Sequence, residues 1–211
     1  MIAPAPTTYP AALARTVGES LMELLRPYCE PGRLMLAGSL RRQPTPDPSK
    51  GGEQGEVGDV EICYVSKTGP AVKPGEMFES STLLADLFIQ SLLWGKLRQR
   101  ASEDGKFTWG QWNKFAVHKA TGLPVDLFRD TDANWWRTVV MRTGPMEFDL
   151  KLIAGAKRNA LKLHVYGPAF TTLDSDGKDT GEVRPCGSEE EFLAMCGYDW
   201  LAPEERQQFK T

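Results

Sequence analysis

Asp126 stands in Leu123-Pro124-Val125-Asp126-Leu127-Phe128, and this one acid constrains the chain more than any other feature. The run reads as a buried strand, where a carboxylate has no packing reason to be. A second strand-like run, Val57 to Val65 (VGDVEICYV), carries Asp59 and Glu61. Residues two apart on a strand point to the same face, so these two acids converge on one side of a sheet. Side by side they repel, and burying them at a core edge is unfavourable without a cation. A divalent ion supplies that partner. If the strand of Asp126 neighbours that of Asp59 and Glu61, three carboxylates meet. Such a set suits two Mg²⁺ ions about 3.5–4 Å apart, the arrangement of in-line phosphoryl transfer.

Upstream lies Gly38-Ser39-Leu40-Arg41-Arg42. Gly38 lets backbone approach a ligand closely. Ser39 offers a hydroxyl and an amide N–H at the start of a helix or turn, where phosphate is favoured. Arg41 and Arg42 bring forked donors suited to phosphate oxygens. Gly58, just before Asp59, again permits close approach. Singly these features are ordinary: Gly-Ser is a common turn, an Asp-x-Glu on a strand is a solvated face, and a lone acid caps a turn. Their order along one chain distinguishes them.

The periodicity predicts a helix over residues 8–28, with Leu13, Val17, Leu21 and Leu24–Leu25 on one face and Pro31–Gly32 as its stop. Arg33 to Ala37 reads as a buried strand, and Pro44 to Gly55 as a mobile loop. Ser81 to Arg100 has helical spacing, while Lys106 to His118 with Leu123 to Phe128 suggests a hairpin feeding a central strand. Beyond this, Asn134 caps a short helix, Pro145 opens another to about Ala160, and Leu161 to Tyr166 is strand-like. Ser188 with Glu191 forms a capping box for a last helix. The expected class is α+β: a catalytic half with a mixed sheet over residues 1–132, and a smaller α+β half over residues 133–211.

Composition narrows the partners. The net charge is −3, yet Lys96, Arg98, Arg100, Lys106, Lys114 and Lys119 cluster in one segment. Arg142, Lys151, Lys157, Arg158 and Lys162 cluster in another. Basic faces on a mildly acidic chain suit phosphate backbones, although a charge run is commonly just solvated surface. Lys114 and Lys119 are expected to contact phosphate. Trp109, Trp112 and Phe115 either pack on the sheet or stack on bases, the former favoured. Trp135 and Trp136 are expected in a core, and His118 and His164 at the surface. Four cysteines without metal spacing read as reduced thiols. No apolar stretch approaches the roughly 18–20 residues of a membrane span, and the N-terminus lacks a secretory pattern. The expectation is a cytoplasmic monomer, in the host cytoplasm if phage-encoded, with no membrane partner.

The motifs resemble those of family X DNA polymerases, the relatives of polymerase beta within the nucleotidyltransferase superfamily. GSLRR resembles the family's triphosphate motif, GDVE its metal-binding pair and LPVDLF the strand of its third carboxylate. Met141-Arg142-Thr143-Gly144 resembles the segment leading into the thumb, and residues 188–206 resemble the family's C-terminal ending. The likeness covers roughly residues 30–62 and 120–206; the early motifs are shared across the superfamily, whereas the Thr-Gly and the tail are more specific to family X. The Arg-Thr-Gly-Pro segment resembles that of phage and bacterial members.

The resemblance implies a minimal palm and thumb acting as a DNA polymerase, probing gapped or recessed duplex and taking deoxynucleoside triphosphates, with two Mg²⁺ ions or Mn²⁺ in their place. It implies that Asp59 and Glu61 hold both metals, and that Asp126 holds the catalytic ion and helps deprotonate the 3′-hydroxyl. It places Gly38, Ser39, Arg42 and Gly58 on the phosphates, Thr143 and Gly144 at the sugar, and Asp149 where the family has an Asn facing the base. Lys151, Lys157 and Arg158, with Lys114 and Lys119, are the nucleic-acid contacts. The chain departs from the family at Glu61 (Asp in most members), at Met141 and Arg142 (an aromatic pair), at Ile153 (often Arg) and at Asp149, which as a carboxylate would be an acceptor only. One helix precedes the palm, so lyase chemistry is expected to be missing.

Overall fold

A computed structural model describes residues 8–43, 55–71, 80–102 and 104–210. In chain order come β1 (Tyr9–Pro10), α1 (Ala11–Leu25), β2 (Cys29–Leu36), α2 (Gly38–Arg41), β3 (Glu56–Val57), β4 (Val60–Ser66), β5 (Thr68–Ala71) and β6 (Ser80–Leu83). Then follow α3 (Leu84–Leu92), β7 (Leu97–Gln99), β8 (Asn113–His118) and β9 (Pro124–Arg129). The remainder holds α4 (Trp135–Thr143), α5 (Met146–Arg158), β10 (Leu161–Leu163), β11 (Phe170–Leu173), β12 (Asp179–Arg184) and α6 (Glu189–Met195). Two units emerge: Met1–Leu36 with Pro46–Asp130, and Ala37–Thr45 with Thr131–Thr211. Helix and strand mix in both, so the chain is α+β, as the sequence pattern implies.

In the first unit the main sheet runs β2-β4-β9-β8-β7. β9, the apolar run around Asp126, is its middle strand. β4 and β9 are parallel and every other neighbouring pair is antiparallel. One face is covered by α1, which comes close because Gly18 has no side chain: a Cβ there would lie 2.7 Å from Leu36 Cδ2 and 3.1 Å from Val60 Cγ1. Val60, Ile62 and Tyr64 are fully buried. By strand alternation Glu61 lies on the opposite face from Val60.

Several expected boundaries move. The first helix ends at Leu25 and gives way to a 3-10 turn over Arg26–Tyr28. Its buried stripe is Ala11, Ala14, Val17, Gly18, Leu21 and Leu25, and Leu13 faces solvent. The close approach at Gly18 favours small residues on the covered face, so alanines displace the expected leucine. Pro31 and Gly32 do not stop the helix. They lie inside β2, where its register against β4 shifts between Cys29 and Leu34. The expected long helix over residues 81–100 is broken into the end of β6, α3, a turn and β7, because α3 gives out at Leu92. The loop expected from Pro44 lies, up to Gly55, outside the described residues.

The second unit packs α4, α5 and α6 with the antiparallel sheet β10-β11-β12. Its core gathers Val140, Phe148, Leu152, Ala156, Phe170, Phe192, Leu193 and Cys196, all fully buried. α5 meets the end of α6 so closely that a Cβ on Gly155 would sit 1.9 Å from the Cys196 carbonyl oxygen. At α6 the Ser188 hydroxyl accepts from the Glu191 amide at 3.0 Å, while the Glu191 carboxylate accepts from Gly187 N–H at 2.7 Å, one residue before the expected box partner. Asn134 precedes α4 without capping it through its side chain. That amide instead donates to the Thr131 hydroxyl and accepts from Ala169 N–H. All four cysteines are free thiols. Among the described residues no helix is long and apolar enough to cross a membrane.

Candidate functional site

The register of the main sheet aligns Glu61 on β4 with Asp126 on β9. Asp126 in turn pairs with Phe115 on β8. Arg100, just past β7, donates its backbone N–H to the Phe115 carbonyl at 2.9 Å. One row therefore crosses four strands: carboxylate, carboxylate, aromatic ring, guanidinium. Side chains in register share a face, so the row has one chemical surface. Asp59 is half-buried one residue before β4, and the Gly58 preceding it is exposed with no atom within 4 Å of a would-be Cβ.

The row is tied together at its far end. One guanidinium nitrogen of Arg100 reaches both oxygens of Asp126, at 2.7 and 2.8 Å. The guanidinium carbon stands 5.3 Å from the centre of the Phe115 ring, and Phe115 meets Phe128 edge-on at 6.1 Å. Asp126 is buried, whereas the Arg100 side chain is 31% exposed. As the side chains stand, no group of three or more His, Cys, Asp or Glu among the described residues is gathered tightly enough to hold a metal ion. The donors nevertheless fit a hard divalent cation, being carboxylate oxygens, two of them on register partners.

The expectation that Lys114 contacts a phosphate backbone is corrected. Its side chain points to the other face of the sheet, where its ammonium binds Asp86 of α3 and lies 3.3 Å from the Tyr64 hydroxyl. Asp86 also accepts from that hydroxyl at 2.8 Å and lies 3.5 Å from Arg129 Nε. Burial, then the Asp86 charge, pushes the Tyr64 hydroxyl well above its ordinary range. A buried lysine held by a half-buried acid belongs to the packing of the fold, not to its surface. Lys119 is exposed, with its ammonium on the Leu93 and Trp94 carbonyls at 2.8 and 3.3 Å. The aromatics of this segment pack: Trp109 donates to Gln90, and Arg129 lies 4.3 Å over the Trp112 ring.

In the second unit, Gly38 opens α2 with φ +63°, a left-handed backbone that only glycine adopts readily. Ser39 is half-buried on that short helix. Arg42 is buried and donates to the Thr143 carbonyl. Its guanidinium thus serves the end of α4. Arg41 binds Glu189 through both guanidinium nitrogens, at 2.7 and 2.6 Å, and donates to the Thr143 hydroxyl at 2.8 Å. Arg206 holds the same Glu189 at 2.8 Å. Burial opposes ionisation of Glu189, but Arg41 and Arg206 outweigh it and hold the carboxyl below its usual range. No sequence pattern announced this trio, whose members lie 148 and 17 residues apart.

Thr143 is fully buried, its hydroxyl also donating to the Val139 carbonyl at 2.6 Å, and Gly144 follows with φ +58°. A Cβ on Gly144 would lie 3.4 Å from Arg42 Nη1 and 3.9 Å from Asp149 Oδ2. Asp149 stands in the first turn of α5, its Oδ1 enclosed without a hydrogen-bond partner. Burial pushes its carboxyl up to about 8, with Arg142, Arg42 and Arg206 opposing. In its protonated form the group carries an O–H donor as well as an acceptor. Lys151, Lys157 and Arg158 are exposed on α5.

Two comparisons with known proteins bear on these units. No curated protein matches the chain significantly. Residues 138–207, all within the second unit, match the DNA polymerase beta thumb family. That match supports a relationship between this chain and the polymerase beta-like proteins of family X.

Proposed function

We propose that the chain is a nucleotidyltransferase of the DNA polymerase kind, extending a primer 3′-hydroxyl with deoxynucleotides in gap-filling or repair synthesis. The observation that carries this reading is the pairing of Glu61 with Asp126 on adjacent parallel strands, in a chain whose residues 138–207 match a polymerase thumb. Asp59, Glu61 and Asp126 would hold two Mg²⁺ ions, with Mn²⁺ as a substitute. Bound there, the ions would neutralise the charge of the triphosphate and of the attacking oxygen. Asp126, on the middle strand, is placed by its rigid surroundings and accepts the proton of the 3′-hydroxyl at a carboxylate oxygen. The 3′-oxygen bonds to the α-phosphorus, the bond from that phosphorus to the bridging oxygen breaks, and pyrophosphate leaves.

In the same reading Gly38, Ser39, Arg42 and Gly58 contact phosphates through backbone, hydroxyl and guanidinium groups. Thr143 and Gly144 border the sugar, and Asp149, protonated, offers the incoming base a donor and an acceptor. Lys119, Lys151, Lys157 and Arg158 contact the DNA backbone. Deoxynucleoside triphosphates and a primer–template or gapped duplex are the proposed partners.

The test is extension of a labelled primer, alone and annealed to recessed or gapped templates, with Mg²⁺ and single nucleotides. Extension by the complementary nucleotide alone is the expected result. Indiscriminate tailing of the free primer would convert the reading to a template-independent transferase. No extension on any substrate, from folded protein, would leave a nucleic-acid-binding role in its place.

A further inference from the structure

The row Glu61–Asp126–Phe115–Arg100 contains a cation of the chain's own. Arg100 Nη2 is nearly equidistant from the two Asp126 oxygens, at 2.7 and 2.8 Å, so it sits in the fork of the carboxylate. A divalent ion bound bidentately would seek that same fork, and two positive groups cannot share it. Arg100 is anchored at its backbone by the Phe115 carbonyl, but its side chain is partly exposed and rests beside an aromatic ring. Rotation about its own side-chain bonds is enough to take the guanidinium off Asp126 without disturbing the strand. Its side chain reaches solvent, in contrast to Arg206 on Glu189, which is completely buried.

We propose that Arg100 competes with divalent cations for Asp126, and so sets the metal concentration at which this carboxylate becomes a ligand. This rests on the metal reading of Asp126 given above. Arg100 is a positioning residue: while it is in place the guanidinium holds the carboxylate oriented on the row it shares with Glu61, and when it leaves, the oxygens are released to the ion. The aromatic ring of Phe115 gives the guanidinium a surface to lie against on either side of that exchange.

The experiment measures Mn²⁺ affinity by electron paramagnetic resonance, with no nucleotide or DNA present. It uses the full chain as wild type, Arg100→Gln and Asp126→Asn, with circular dichroism as a check on folding. Arg100→Gln is expected to tighten Mn²⁺ binding roughly tenfold, the scale of one charge-assisted hydrogen bond. Asp126→Asn is expected to weaken it by at least as much. Affinity lost in Asp126→Asn but unchanged or weaker in Arg100→Gln would overturn the role of Arg100 and leave the metal reading standing. Affinity indifferent to Asp126→Asn would overturn both. If Arg100→Gln does not fold, Arg100→Lys carries the test, since a lysine cannot reproduce the guanidinium's planar donors. A several-fold tightening then supports the competition, and an unchanged or weaker affinity refutes it.

Discussion

Two carboxylates in this chain, one in each unit, meet arginine in opposite ways. Glu189 is gripped by two guanidiniums, one completely buried and the other half-buried, and a threonine hydroxyl joins the cluster. Asp126 meets Arg100 through one nitrogen, on a side chain that reaches solvent. The first arrangement has every mark of a fixed joint: enclosed, over-determined, with each charge answered within the protein. The second can be exchanged for another cation at little structural expense. Burial of the cation, more than of the acid, separates an ion pair that holds a fold from one available for chemistry.

The comparison breaks most sharply if Asp126 is dispensable. Asp126→Ala should lower nucleotide incorporation by roughly a thousandfold or more while leaving the far-ultraviolet dichroism unchanged. Retained extension in single-turnover assays would remove the chemical role assigned to this acid. The Glu189 side is probed by Glu189→Ala, which strands the buried guanidinium of Arg206 and the half-buried one of Arg41 and should destabilise the chain by about 3–5 kcal/mol in urea unfolding. A loss under about 1 kcal/mol would put Glu189 in the same exchangeable class as Asp126.

Smaller effects sharpen the picture of the second unit. Gly155→Ala drives a methyl into the Cys196 carbonyl, whose oxygen would lie 1.9 Å from it, so α5 and α6 must separate. The expected loss is about 2–3 kcal/mol, read from the same unfolding curves. Asp149 supplies the contrasting case of an acid near Arg142, Arg42 and Arg206 but with its Oδ1 enclosed and unbonded. Its carboxyl moves from 3.8 up to about 8 on folding, so between those values the folded chain keeps a proton that the unfolded chain releases. Stability from this group is therefore fully present below about pH 4 and falls as pH rises toward 8. Asp149→Asn should flatten that decline and gain on the order of 1–2 kcal/mol at pH 8, measured by thermal unfolding across pH.

The elements that sequence made readable are those whose signal is local. Glu61 on β4 with Asp59 just before that strand, Asp126 in an apolar run, Pro145 before α5 and Ser188 before α6 each announce themselves within a few residues. The pairing of β4 with β9 is different, because 65 residues separate Glu61 from Asp126 and nothing in either run states which strand is its neighbour. Lys114 was misread for the same reason: its partner Asp86 is 28 residues away on α3, and the basic segment around it looked like one solvated surface. Arg100 belonged to that segment too, yet its partner is Asp126 on a strand two places across the sheet. The long helix expected over residues 81–100 failed because apolar spacing continued past Leu92 into a turn and a strand that bury the same kind of residue. Leu97, fully buried in β7, satisfies either pattern.

Residues 37–45 group with the unit that resumes at Thr131, so the backbone enters that unit, leaves it and returns. Any fragment cut as one continuous piece from Thr131 onward discards Arg41, and with it one of the two clasps on Glu189. The chain is stitched, and excising its second half cleanly would require a splice that carries a nine-residue patch from the first.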